Sequence, residues 1–368
     1  MRLNLFAGLC VILLVGGAVA QTSLNGAGAT FPYPIYSKWF SEYHNLHPDV
    51  QINYQSIGSG GGIKQVQAGT VDFGASDGPM TDEQLKATPF KLFHIPTVLG
   101  SAVPAYNVPG ISGEINFTGE ILADIFLGKI KKWNDPALAK INPGIKFPDT
   151  EVVVVHRSDG SGTTYIFTDF LSKVSDEWKT KVGKATSVNW PVGVGGKGNE
   201  GVTGSIRETK GSIGYIELIY ALQNKIPFGS VKNPAGKFVK ASLASTTAAA
   251  AAMKDMPDDF RVSITNAPGK DSYPISSFTW LLIPVEWNDA TKEKTIVGFL
   301  NWMVDKGQSM TASLDYAPLP KAVAAKVKTR IHDIHVKGKE SAKEETKPEE
   351  SAKTKPAAKI AKAGKPHR

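Results

Sequence analysis

Strands alternate with helices along most of this chain, and the alternation predicts an α/β fold. Two stretches carry the prediction. In residues 152–167 (VVVVHRSDGSGTTYIF), four consecutive valines read as a short, fully buried strand. The chain turns through a polar, glycine-containing loop, and the apolar spacing then becomes helical, with Ile166, Phe167, Phe170, Leu171 and Val174 on one face. Residues 50–66 repeat the unit. Val50, Ile52 and Tyr54 alternate as a strand, SIGSGGG follows, and Ile63 and Val66 begin a short helix. A third observation is size: the 316 residues from 21 to 336 are enough for about two domains with a packed core.

The two ends read as different material. The chain opens MRLNLFAGLCVILLVGGAVA, in which Arg2 is a minimal positive region, residues 5–15 are apolar, and Ala18-Val19-Ala20 is a small-x-small cleavage signal. This reads as a secretory signal peptide (1–20) cut after Ala20. An uncleaved anchor is the alternative, since the apolar stretch approaches spanning length. Cys10, the single cysteine, lies inside the leader, and Leu9 before it is not the small residue that lipidation calls for. The mature chain would then have no disulfide and no thiol chemistry, which suits an exported bacterial protein. Residues 337–368 are rich in Lys, Glu, Ala and Pro, with Ile360 their only large aliphatic residue. They cannot bury a core, so they are expected to be disordered, as a solvated spacer or as an attachment to an anionic surface. Ten Lys/Arg against five Glu in this tail, together with Arg2, account for six of the eight surplus positive charges. Only about +2 remains for residues 21–336, so the basic pI of 9.2 belongs mainly to the tail and does not indicate nucleic-acid binding.

Taken in order, SLNGAGATFPYP (23–34) has small residues that allow close backbone approach. Pro32 and Pro34 then start a helix that presents Tyr36, Trp39, Phe40 and Tyr43. Thr30 and Phe31 sit where that loop meets the helix. The glycine loop 56–62 offers Ser59, but Lys64 stands between Ile63 and Gln65, which breaks the Walker A pattern. Val71 and Phe73 suggest a short strand running to Asp77 in an Asp-Gly turn. HIPTVLGSAVPAYN (94–107) is apolar, interrupted by Pro96 and Pro104, and fits buried strands, one of them a possible crossover between domains. Residues 120–133 read as a helix with Ile121, Leu122, Ile125 and Phe126 packed and Lys129, Lys131 and Lys132 exposed. NWPVGVGGKGNEG (189–201) contains G-x-G-x-x-G, but no convincing strand precedes it, so the dinucleotide match is taken as chance and the run as a loop near the cleft. A helix over 202–207, a strand over 212–217 and an alanine-rich helix over 241–253 follow. SFTWLLIP (277–284) is a buried strand and the second crossover candidate, and 296–304 is a helix packing Phe299, Leu300 and Met303, ended by Gly307.

The chemistry concentrates in His156-Arg157-Ser158-Asp159-Gly160-Ser161-Gly162-Thr163. Ser161, Gly162 and Thr163 place backbone N–H groups at a helix start, where they lack intrahelical partners and the helix dipole favours an anion. Arg157 supplies a planar fork matched to two oxyanion oxygens. Asp159 should repel an anion, unless it steadies Arg157 or accepts a proton from a protonated one. An ordinary capped helix is the plainer reading of this loop, and Arg157 with the other loops favours the anion site. Hydrolytic signatures are missing: no G-x-S-x-G, no H-E-x-x-H, and the close pairs His44/His47 and His332/His335 read as surface pairs.

The runs GAGATFP, NYQSIGSGGGIKQV, VDFGASD, LGKIKKWND, RSDGSGT, WPVGVGGKGNEG, GSIGYIE and DYAPLP, ordered over residues 22 to about 335, resemble the periplasmic phosphate-binding proteins of the phosphate-specific ABC transporter. The resemblance implies a two-lobed class II periplasmic-binding-protein fold with two hinge crossings and one phosphate in the cleft. Lobe I would comprise 21–101 and 278–336, and lobe II 102–277. It implies phosphate contacts from Thr30, Phe31, Ser59, Asp77, Arg157, Asp159, Ser161, Gly162 and Thr163, with Asp77 accepting the phosphate proton. It implies a periplasmic, non-enzymatic receptor without cofactor, metal or nucleic acid. That receptor would be monomeric until it docks on an inner-membrane ABC permease complex with its cytoplasmic ATPase. A secreted phosphohydrolase or a surface-adhesion protein is the alternative use of such a pocket. His156, Gly60 and the Lys-rich tail depart from the family pattern.

Overall fold

The computed structural model describes residues 21–111 and 113–339. The expected signal peptide and residues 340–368 of the expected tail lie outside the described residues.

One mixed sheet carries the fold. Its strands are β1 (Thr22–Gly28), β2 (Val50–Ser56), β3 (Phe73–Ser76), β4 (Leu92–Asn107), β5 (Val153–Arg157), β6 (Val194–Gly196), β7 (Ser212–Glu217) and β8 (Ser276–Pro284), in the spatial order β2-β1-β3-β8-β4-β7-β5-β6. β1, β2 and β3 run parallel, as do β5, β6 and β7. The antiparallel pair β8 and β4 stands between these groups. β4 changes partner along its length: residues up to Ser101 pair with β8, and from Ala102 onward they pair with β7.

Helices follow most of the parallel strands. They are α1 (Tyr33–Leu46), α2 (Ser59–Gln67), α3 (Gly162–Val174), α4 (Gly198–Glu208) and α5 (Leu218–Gln223), with α6 (Ala290–Asp305) packed later against α1. α1 forms because its apolar residues recur every three or four positions, and Tyr36, Trp39, Phe40 and Tyr43 are all buried. Phe40 and Tyr43 meet Phe299 at ring-centroid distances of 5.3 and 5.4 Å, and Trp39 satisfies its indole N–H on the Gly307 carbonyl at 2.8 Å.

Several expectations are corrected. The valine run is not wholly buried. Val154 and Val155 are, whereas Val152 and Val153 are half-exposed, because β5 lies beside the short edge strand β6. The helix expected over 120–133 spans Gly119–Phe126 and stops before Gly128, whose φ of +73° favours glycine. Lys129, Lys131 and Lys132 are exposed as expected, with Lys129 paired to Asp124 and Glu177 and Lys132 to Asp149 at the surface. Residues 92–107 form one strand despite two prolines. Opposite Pro96 the register slips between Thr279 and Trp280, a bulge that accommodates the missing N–H. The glycine run at 189–201 does contain a strand, β6, and α4 begins at Gly198, ahead of the expected helix start. The expected tail starts late: the Lys337 and Lys339 N–H groups bond the Trp287 and Val336 carbonyls at 2.9 and 3.0 Å.

Gly62 sets how closely α2 sits on β1 and β3. A Cβ there would lie 2.5 Å from the Ala27 carbonyl and the Gly28 Cα, and 2.9 Å from the Ala75 carbonyl. Gly62→Ala should cost roughly 1–3 kcal/mol by overpacking, read from denaturant unfolding. An unchanged midpoint would show that α2 shifts freely.

Candidate functional site

The loops that leave the C-terminal ends of β1, β2, β3, β5 and β6 converge, as expected of a ligand crevice at the switch points of an α/β sheet. All but the loop after β6 bring residues singled out from the sequence. Thr30 and Phe31 follow β1, Ser59 opens α2, Asp77 follows β3, Arg157 ends β5, and Asp159 to Thr163 lead into α3. Thr30, Phe31, Ser59, Asp77, Arg157, Ser161 and Thr163 are each at most 3% exposed. The two sides of the sheet meet here: Gly60 N–H donates to the Gly160 carbonyl at 2.8 Å, and Gly162 N–H to Ser59 Oγ at 3.0 Å.

Arg157 is held by its own loop. Its Nε donates to Asp159 Oδ1 at 2.8 Å and its Nη2 to Asp159 Oδ2 at 2.5 Å, a bidentate pair. Nη1 donates to Thr163 Oγ1 at 3.3 Å. Of the five guanidinium N–H groups, one on each terminal nitrogen remains for a ligand. Burial alone would raise the Asp159 carboxyl, but hydrogen bonds and charge from Arg157 and the Gly198 N–H outweigh it and hold Asp159 below its ordinary range. The sequence left two uses open for Asp159. The geometry has it steadying Arg157.

α3 is capped by Ser161, whose Oγ accepts from Thr164 N–H at 3.0 Å. The N–H groups of its first turn have no intrahelical partner by construction. The Arg157–Asp159 pair is neutral overall, so an anion here would be held by oriented N–H and O–H dipoles more than by net charge.

Asp77 is the acceptor in this field of donors. Its Oδ1 accepts from Thr279 Oγ1 at 2.8 Å, and its Oδ2 faces the start of α3, where a Cβ on Gly162 would come within 2.5 Å of it. Burial pushes the Asp77 carboxyl up to about 7, against the lowering pull of Thr279, Arg157 and Ser59. A buried carboxyl with that range exchanges its proton near neutral pH.

Some residues here were not singled out from the sequence. Asn199, at the start of α4, bonds Thr30 and Thr163. Its signal was the glycine run at 189–201, which was set aside as a dinucleotide motif. Thr279 orients Asp77 from β8, and Tyr215 OH accepts from Arg157 N–H at 3.1 Å while contacting Thr164 Oγ1 at 2.7 Å. Nothing local in sequence marks these two, because they arrive from strands far along the chain. His156 stacks on Trp190 at a centroid distance of 4.9 Å, with Nδ1 3.0 Å from the Arg157 carbonyl, outside the ring of donors.

Residues 16–306 match the model of the PBP superfamily domain. The chain is 49% identical over 303 residues to the phosphate-binding protein PstS of Xylella fastidiosa (strain Temecula1), covering 82% of each chain. It is 48% identical over 313 residues to PstS of Pasteurella multocida (strain Pm70), covering 84% of this chain and 90% of the relative. Among solved structures, a high affinity periplasmic phosphate-binding protein (PfluDING) bound with phosphate superposes with a TM-score of 0.68. It is 22% identical and covers 84% of this chain and 93% of its own, so it speaks to the fold.

The raised carboxyl of Asp77 carries a stability signature. Its folded-state value of about 7 exceeds the ordinary 3.8, so between these values the native state binds more protons than the unfolded one. Stability supplied by the neutral form is complete below about pH 4 and is lost as pH rises through about 7. In anion-free buffer Asp77→Asn should therefore stabilise the protein at pH 8, by at most about 4 kcal/mol at ~1.4 kcal/mol per pKa unit. The difference should vanish below pH 4. Denaturant unfolding at both pH values checks this, and a pH-independent difference would refute it.

Proposed function

The chain belongs to the PstS phosphate-binding proteins of the PBP superfamily, and from that premise we propose that it captures inorganic phosphate between two lobes and delivers it to an ABC permease. The observation that carries the reading is the buried pairing of many donors with one aimed acceptor. The spare Arg157 N–H groups, the Thr163 N–H at the start of α3, the hydroxyls of Thr30, Ser59, Ser161 and Thr163 and the backbone near Phe31 supply the donors, while the Gly162 N–H already bonds Ser59 and the Thr164 N–H bonds Ser161. Asp77 supplies the acceptor.

Phosphate near neutral pH keeps at least one proton, so it both accepts and donates. One oxygen would present that proton to Asp77 Oδ2 while the others receive N–H and O–H bonds. Sulfate is fully deprotonated and only accepts. Where Asp77 is ionised, above about pH 7, sulfate would set an oxygen against the carboxylate with no proton between them. A site built to bond a ligand hydroxyl can reject the analogue lacking it by roughly 10⁴–10⁵.

The lobes in this reading are 21–101 with 278–336, and 102–277. β4 changes sheet partner between Ser101 and Ala102, which suits a hinge crossing there, and the return through β8 gives the second. Opening would part the Gly60–Gly160 and Ser59–Gly162 contacts that join the two sides. The receptor would work as a periplasmic monomer after removal of the leader, meet the inner-membrane permease and its ATPase on docking, and use no cofactor. It is read as a receptor and not as a phosphohydrolase because its relatives are named as binding proteins and because Asp77, Arg157 and the donors account for a bound oxyanion without a nucleophile.

Calorimetric titration of the anion-stripped full chain with phosphate should give one-to-one binding. Arg157→Lys keeps the charge but loses the fork that both holds Asp159 and faces the ligand, so it should weaken phosphate by at least about tenfold. Absence of phosphate heat in the wild type, or turnover of a phosphate ester by the pure protein, would overturn the reading.

A further inference from the structure

Asn199 is fully buried at the second position of α4. Its side-chain orientation is fixed by one contact: Glu217 N–H, at the end of β7, donates to Asn199 Oδ1 at 2.9 Å. An N–H can only donate, so the amide oxygen must face β7 and the amide nitrogen must face the other way. There Nδ2 donates to Thr30 Oγ1 at 2.8 Å and to Thr163 Oγ1 at 3.2 Å. The Asn199 backbone N–H also donates to Thr30 Oγ1, at 3.1 Å.

A count of donors and acceptors then constrains both threonines. A hydroxyl has one proton and two lone pairs. Thr30 Oγ1 accepts twice from Asn199. Thr163 Oγ1 accepts from Asn199 Nδ2 and from Arg157 Nη1, the latter at 3.3 Å. Both lone pairs of both hydroxyls are engaged, and the remaining capacity of each is its single proton. Thr30 follows β1 and Asn199 follows β6, on opposite sides of the β4 and β8 pair.

Resting on the phosphate reading above, we propose that Asn199 is a positioning residue that commits the Thr30 and Thr163 hydroxyls to donate to the bound anion, and that for Thr30 it does so only when the two sides of the cleft meet. It fixes the polarity of the donor side of the site while Thr279 orients the single acceptor. Asn199 itself does not touch the anion. Its effect passes through the two hydroxyls, so an anion with acceptor oxygens at both positions is favoured and a ligand presenting a hydroxyl there is disfavoured.

A double-mutant cycle on the full chain, read by calorimetric titration with inorganic phosphate, tests this. Asn199→Leu removes the amide at similar size, and Thr30→Val with Thr163→Val removes both hydroxyls. Asn199→Leu should weaken phosphate at least thirtyfold in the wild type and no more than about threefold in the double-valine background. Equal weakening in both backgrounds would assign Asn199 a merely structural role and overturn the inference. Loss of phosphate binding in the wild type would instead overturn the functional reading. Thermal unfolding is recorded for each variant. Asn199→Ser, which keeps an acceptor for Glu217 N–H, runs the same cycle if the leucine variant does not fold.

Discussion

Asp77 is buried with one carboxylate oxygen turned toward the first turn of α3, in the place where an oxyanion would be attracted by N–H dipoles. Two negative groups in such a dry setting repel strongly unless a proton lies between them. The site as a whole depends on that constraint. The Asp159 oxygens are taken up by Arg157 and the Gly198 N–H, which leaves Asp77 as the carboxylate that faces the donors at the start of α3. Burial raises its proton affinity into the neutral range, and Thr279 and Ser59 keep the ionised form accessible. Arg157 adds to this without tipping the balance of charge, because Asp159 neutralises it and spends two of its five N–H groups.

The fold delivers these groups by a simple geometric rule. β3, β8, β4 and β7 are antiparallel in turn, so the two parallel groups run in opposite directions and the loops after β1, β2 and β3 face those after β5 and β6 where β4 changes partner. Small residues let them close on each other: Gly62 brings α2 onto the sheet, and Gly60 and Gly160 touch across the cleft. The long strand β4 ties the two parallel groups together, pairing with β8 along its first part and β7 along its second. A bend at that change of partner would separate the donors on one side from those on the other. Asn199 and Thr30 are the clearest case of a bonded pair that such a bend would break.

Much of this was legible in the residues. The α/β class followed from alternating periodicities, and the strand-loop-helix units at β2–α2 and β5–α3 stand where their spacing placed them. All nine residues proposed for the site come to the convergent ends of the strands. What was not legible came from distance in sequence. Thr279 reaches Asp77 across 202 positions, and nothing in SFTWLLIP marks its hydroxyl as different from a core threonine. Asn199 was hidden differently. Its glycine-rich run was read as a loop near the cleft with no residue of it singled out, and the three-residue strand β6 is too short to carry a periodic signal. The helix overextended past Phe126 was read by its apolar face, while Gly128 had already ended it. The prolines of β4 argued for interruption, and a bulge opposite Pro96 absorbed the irregularity instead.

The proton between Asp77 and its ligand is best tested by the ratio of phosphate to sulfate affinity at pH 7.5, measured by calorimetry on the anion-stripped full chain and on Asp77→Asn. A wild-type ratio of roughly 10⁴ or more is expected, falling by at least about tenfold in the variant, whose amide can donate to a sulfate oxygen. A wild-type ratio near one, or a ratio unchanged by Asp77→Asn, would contradict the assignment of Asp77 as the acceptor that reads the ligand's proton.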